Sequence, residues 1–168
     1  MKEVHFILQL KNKISIFDTA PITNLMHPID ILLIEDNEGD ILLTKEALIE
    51  GDILKELQVV KDGWEALLYL EKKESFKSAK TPDLILLDIN LPKLNGFEVL
   101  KKIRSGEKTK NIPVVILSTS TSDNDIKKCI RYQANYYISK PIDADGYPKV
   151  IRSIKKFWLS NLNRSVSK

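Results

Sequence analysis

Three acids, a lysine and a hydroxyl stand at the ends of apolar runs in this chain, and together they could handle a phosphoryl group. Ile31-Leu32-Leu33-Ile34 runs into Glu35-Asp36-Asn37; Asp83-Leu84-Ile85-Leu86-Leu87 runs into Asp88-Ile89-Asn90-Leu91-Pro92. Val115-Ile116-Leu117 ends at Ser118-Thr119, and Ile138-Ser139 ends at Lys140-Pro141. A carboxylate can attack phosphorus to give an aspartyl phosphate, but it must first approach an anion. A divalent cation such as Mg²⁺, held by one or two carboxylates, removes that repulsion. Clustered carboxylates without such a cation resist full ionisation. A lysine ammonium then balances the remaining phosphoryl charge.

Near-continuous Ile, Leu and Val mark strands covered on both faces, as in a parallel sheet. In such a sheet a ligand sits beyond the carboxyl ends of the strands. The alternation of strand and helix patterns supports this placement. Strands are expected at 29–34, 56–60, 83–87, 112–117 and 136–139, and helices at about 39–49 and 64–72, around Phe97–Ile103, and through Ile126–Ile130. Residues 72–81 are polar and read as a surface loop. Ser122 with Asp125 is a candidate capping box. Asp145 as N-cap would place Pro148 in the first turn of a last helix, where its missing N–H costs nothing. The five βα units predict a doubly wound α/β sandwich with right-handed crossovers.

Composition bounds the rest. The chain has 168 residues, 43% of them hydrophobic, which suits one domain with a real core. A net charge of +3 is too weak to argue for nucleic acid, and no apolar run approaches a membrane span. Cys129 is the single cysteine, so no internal disulfide forms and a reducing, cytoplasmic setting is expected. Residues 1–27 read as an extension without a signal-peptide pattern. Two readings of it are open: a weakly ordered segment, or an over-extended reading frame with Met26 as the true start.

From Pro28 to Ser160 the chain resembles the receiver domain of bacterial two-component response regulators. The resemblance rests on Ile34-Glu35-Asp36-Asn37, Leu87-Asp88-Ile89-Asn90-Leu91-Pro92, Val115-Ile116-Leu117-Ser118-Thr119 and Ile138-Ser139-Lys140-Pro141. Ser118 lies 30 residues after Asp88 and Lys140 lies 52 after it, as is typical of that family. Residues 161–168 are left as a tail.

The resemblance implies a flavodoxin-like fold, with five parallel strands in the order 2-1-3-4-5 and five helices. It implies Asp88 as phosphoacceptor and a Mg²⁺ site formed by Asp36, Asp88, the backbone carbonyl of Asn90 and, through water, Glu35. It further implies Ser118 and Tyr137 as a switch pair, and Lys140 as the partner of the acyl phosphate, oriented by a cis bond to Pro141. Asp62-Gly63-Trp64-Glu65-Ala66-Leu67, the polar loop and Phe157-Trp158-Leu159 look most like the stand-alone, phytochrome-linked response regulators of cyanobacteria and their relatives. The implied partners are a histidine kinase and a second copy of the chain, docked through the fourth and fifth helices and the fifth strand.

Phe157, Trp158 and Leu159 are consecutive, so at least one is expected to face outward as an interface anchor. One departure from the family is Gln133, where many receivers carry glycine at the end of the fourth helix; the helix is expected to end differently, at Asn135.

Taken singly, these residues have plainer readings. Glu35-Asp36 could be a solvated pair, Lys140 a surface lysine and Ser118 a strand-end hydroxyl; the convergence of all four segments carries the argument. Trp64, Trp158 and Cys129 read as packing residues. The competing class is an aspartyl-phosphate enzyme of the haloacid-dehalogenase-like type. Such enzymes place a second Asp two residues after the nucleophile, where this chain has Asn90, which cannot exchange a proton. A signalling domain rather than an enzyme is therefore expected.

Overall fold

A computed structural model describes residues 27–165, with side chains described to residue 161. The expectations for residues 1–25 lie outside this range. Five parallel strands form one sheet: β1 (Ile29–Ile34), β2 (Leu54–Val60), β3 (Leu84–Leu87), β4 (Val114–Ser118) and β5 (Tyr136–Ser139). Their order is β2-β1-β3-β4-β5, and each neighbouring pair is parallel. The helices among the described residues are α1 (Glu38–Glu50), α2 (Gly63–Glu71), α3 (Gly96–Ser105), α4 (Asp123–Arg131) and α5 (Tyr147–Ser165).

Successive strand residues point to opposite faces, and two cores follow. Leu32, Ile34, Ile85, Leu87, Val114 and Ile116 pack beneath α2, α3 and α4, with Cys129 among them. Ile31, Leu33, Leu84, Leu86, Val115 and Leu117 pack beneath α1 and α5, against Leu48, Val150, Ile151 and Ile154. Because strands β1, β3 and β4 are buried on both faces, their sequences show runs rather than alternation.

Local chemistry sets the element ends. Asn37 and Asp62 cap α1 and α2 by accepting from the backbone N–H of Asp40 and Glu65. Asn95 and Glu98 form a capping box at α3. The box expected at Ser122 does not form. The Asp125 carboxylate is taken by the Ser120 hydroxyl at 2.7 Å, and the Ser122 N–H turns to the same hydroxyl.

Gln133 itself adopts the left-handed conformation, with φ 61°. The Arg104 guanidinium holds its carbonyl at 2.9 Å and the Asn135 side chain at 2.6 Å, which offsets the strain of a non-glycine residue there. Strand β4 starts at Val114, because Pro113 has no N–H to give the ladder. Strand β2 begins two residues before the expected Glu56, and the loop 72–81 carries one 3₁₀ turn, Glu74–Phe76.

At the last helix, Asp143 rather than Asp145 is the capping side chain. It accepts from Gly146 N–H and closes a 3₁₀ turn over Ala144–Gly146, after which α5 begins with Pro148 in its first turn. That helix runs on to Ser165. Phe157, Trp158 and Leu159 are all half-buried rather than one being exposed, and Phe157 stacks on Tyr136 at 5.6 Å. Trp64, by contrast, is exposed. No helix among the described residues is long and apolar enough to cross a membrane.

Candidate functional site

The carboxyl edge of the sheet gathers the chemistry-bearing residues. Glu35 and Asp36 follow β1, Asp88 follows β3, Ser118 ends β4 and Lys140 follows β5. Glu35 is 2% exposed and Asp88 5%, whereas Asp36 faces solvent. One carboxylate oxygen from each of the three lies within 4.8 Å of the others, a spacing that a single divalent ion can bridge.

Lys140 binds the cluster together. Its ammonium donates to Glu35 Oε2 at 2.5 Å, Asp40 Oδ2 at 2.9 Å and Asp88 Oδ2 at 3.1 Å, with only 6% of its side chain exposed. Its peptide N–H donates to the Ser118 carbonyl at 2.8 Å, which ties the end of β5 to that of β4. The bond to Pro141 is trans, contrary to expectation. These contacts hold both the backbone and the ammonium without a cis turn.

Burial works against the charged ammonium, but the hydrogen bond to Glu35 and the charges of Asp88 and Glu35 outweigh it and hold Lys140 protonated well above its usual range. Glu35 moves up as well, because burial of its carboxylate outweighs the help it receives from Lys140.

Asp88 is held from behind. Its Oδ1 accepts from the Ile89 N–H at 2.7 Å, so Oδ2 is the oxygen turned toward Lys140. Gly96 packs so tightly under this loop that a Cβ there would sit 2.2 Å from the Asp88 carbonyl oxygen. Asn90 is exposed in the same loop. Ser118 is fully buried, and its hydroxyl accepts from the Ser120 N–H at 3.2 Å. Tyr137 donates its hydroxyl to the Ser120 carbonyl, whereas Tyr136 faces the opposite core.

A cavity of about 350 Å³ lined by Asp30, Glu56, Tyr69 and Lys80 lies beside the first halves of β1 and β2, away from these acids. Shape alone would therefore misplace the chemistry.

Residues 31–152 match the response regulator receiver domain family. The chain belongs to that family. As a receiver domain it is 36% identical over 132 residues to the response regulator Rcp1 of Synechocystis sp., covering 79% of this chain and 90% of that protein. It is 35% identical to the probable methanogenesis regulatory protein FilR2 of Methanothrix harundinacea, over 88% and 94%. Among solved structures it is similar to the phosphorylated cyanobacterial phytochrome response regulator RcpA, at 42% identity and a TM-score of 0.75 over 80% of this chain and 96% of that one. The Mn²⁺-bound form of Rcp1 gives 37% and 0.73, over 79% and 95%.

Two members of the site escaped the reading of the sequence, Asp40 and Tyr147. Asp40 lies in the first turn of α1, which opens at the sheet edge where Glu35 and Asp36 end β1, a position that could have drawn notice. An acid in a first helical turn is ordinarily explained by the helix dipole alone. Tyr147 donates to Asp40 Oδ1 at 2.8 Å across 107 residues, and no local pattern announces such a contact.

Proposed function

We propose that this receiver domain accepts a phosphoryl group on Asp88 from a phosphohistidine of a histidine kinase, requires Mg²⁺ to do so, and signals by changing what it binds. The supporting observation is the convergence of Asp88 Oδ2 with the Lys140 ammonium and two further acids at one sheet edge.

In this reading Asp88 Oδ2 attacks phosphorus while its Oδ1 stays anchored by Ile89. The new O–P bond forms as the P–N bond of the donor breaks, and the imidazole leaves with that bond's electron pair. Asp36 and Asp88 would ligate the metal directly, with the Asn90 carbonyl and, through water, Glu35. The ion supplies charge neutralisation between the carboxylates and the phosphoryl oxygens. The residues suit it, since one ammonium stands against Glu35, Asp36, Asp40 and Asp88 and leaves the edge rich in negative charge. Lys140 then bonds the transferred group. Ser118 moves toward it, and Tyr137, tied to Ser120, follows that movement.

The kinase is proposed to be phytochrome-like by analogy with RcpA. The working unit is taken as residues 28–160, in a cytoplasmic setting, with α4, β5 and α5 as the face of a homodimer. Phosphotransfer profiling against the histidine kinases of the source organism tests the reading. A single kinase should label the protein rapidly in Mg²⁺ and fail to label Asp88→Asn. Labelling that survives the substitution or the removal of Mg²⁺ overturns it.

A further inference from the structure

We propose that Asp40 and Tyr147 are positioning residues that hold Lys140 back from the phosphoryl position, and so set how readily Asp88 is phosphorylated. The inference rests on the function proposed above for Asp88 and Lys140.

A lysine ammonium has three N–H donors. Here all three are spent on carboxylates, at Glu35, Asp40 and Asp88. To bond an oxygen of an incoming phosphoryl group, Lys140 must release or share one of them. Glu35 is almost wholly buried and would be left without solvent, so its bond is the costly one to break. The Asp88 contact is the one that leads to the phosphoryl group itself. Asp40 differs from both: 28% of its side chain is exposed, so water can replace the ammonium there. Asp40 is therefore the tether that exchanges.

What keeps Asp40 on Lys140 in the resting protein is Tyr147. Its hydroxyl fixes Asp40 Oδ1 at 2.8 Å, which leaves Oδ2 turned toward the ammonium. Tyr147 is buried at the start of α5, where it packs in the core shared with α1. Its ring is placed by packing and its hydroxyl by Asp40. Through these two residues the amino end of α5 is joined to the ammonium that also contacts Asp88. Removing the Asp40 charge takes away a competitor for Lys140 and lessens repulsion of an incoming anion, so both effects share a sign. Removing only the tyrosine hydroxyl frees Asp40 to turn toward water, a smaller effect in the same direction.

Beryllofluoride affinity in Mg²⁺ and the acetyl phosphate labelling rate, measured on the full chain, test this. Asp40→Asn should raise both by roughly three- to tenfold. Tyr147→Phe, which keeps the ring, should raise both by less, and the double variant should match Asp40→Asn alone. In a Lys140→Ala background, Asp40→Asn should raise the weakened beryllofluoride affinity by clearly less than it does with Lys140 present, because only the lessened repulsion of the anion remains. In metal-free protein, ammonium proton signals of ¹⁵N-labelled Lys140 should exchange faster in both single variants than in wild type.

Slower labelling in both single variants, or an Asp40→Asn gain that is undiminished without Lys140, overturns the proposal while leaving Asp88 as acceptor. A wild-type protein that neither binds beryllofluoride nor takes label overturns the underlying function instead.

Discussion

Replacing Lys140 by methionine should destabilise the protein by about 3–5 kcal/mol at pH 7 in the absence of divalent ions, the usual cost of leaving a buried charge without its partner. Methionine retains most of the lysine stem, so little of that loss would come from a cavity. The loss would come from Glu35 and Asp88, both buried and both bonded to the ammonium. For a domain of this size the change corresponds to a drop in Tm on the order of 10–20 °C.

The pH dependence has a definite sign. Glu35 already has a raised pKa in the folded state, so its contribution favours folding below its unfolded value of 4.5 and is lost as pH rises through the folded value. Without Lys140 its pKa climbs further. The stability gap between variant and wild type should therefore narrow as the pH is lowered from 7 toward the acid range. Mg²⁺ should narrow it at pH 7 as well, by supplying the missing positive charge. Denaturant unfolding followed by tryptophan fluorescence, at two pH values with chelator or Mg²⁺, measures all of this. A variant as stable as wild type at pH 7 in chelator would refute the idea that Lys140 holds the acids together.

Three further outcomes are expected. Asp36→Asn should weaken Mg²⁺ binding in calorimetry by far more than Glu35→Gln, since Asp36 faces solvent while Glu35 already serves Lys140 and the Asn37 N–H; equal losses would contradict the division of roles. Gly96→Ala should cost about 1–3 kcal/mol in denaturant unfolding and slow labelling of Asp88, because the added Cβ meets backbone atoms of Asp88 and Ile89 that cannot step aside. Sedimentation should show the wild type associating in beryllofluoride and Trp158→Ala associating less; a monomer under both conditions would remove the homodimer.

Much of the fold was legible because its signals are local. Strand β1 falls at Ile29–Ile34 as its apolar run indicates, and Pro148 lies in the first turn of α5 because proline tolerates no deeper position. The gathering of Glu35, Asp36, Asp88, Ser118 and Lys140 at one edge was legible too, since each closes a strand and parallel strands end together. Features set by contacts between distant side chains were not. Ser122 loses its capping box to Ser120, and Gln133 takes a left-handed turn under the guanidinium of Arg104, 29 residues away. Asp40 and Tyr147 meet across 107 residues. Side-chain hydrogen bonds of that kind follow from tertiary packing and leave no period in the chain.

The most direct test of the central claim is to map where phosphate goes. After acetyl phosphate treatment in Mg²⁺, borohydride trapping converts an aspartyl phosphate to homoserine, and peptide mass spectrometry locates it. The account predicts one converted residue, Asp88, and none in Asp88→Asn or in chelator. Conversion at Asp36 or Glu35 in the wild-type protein, or none at all, would contradict it.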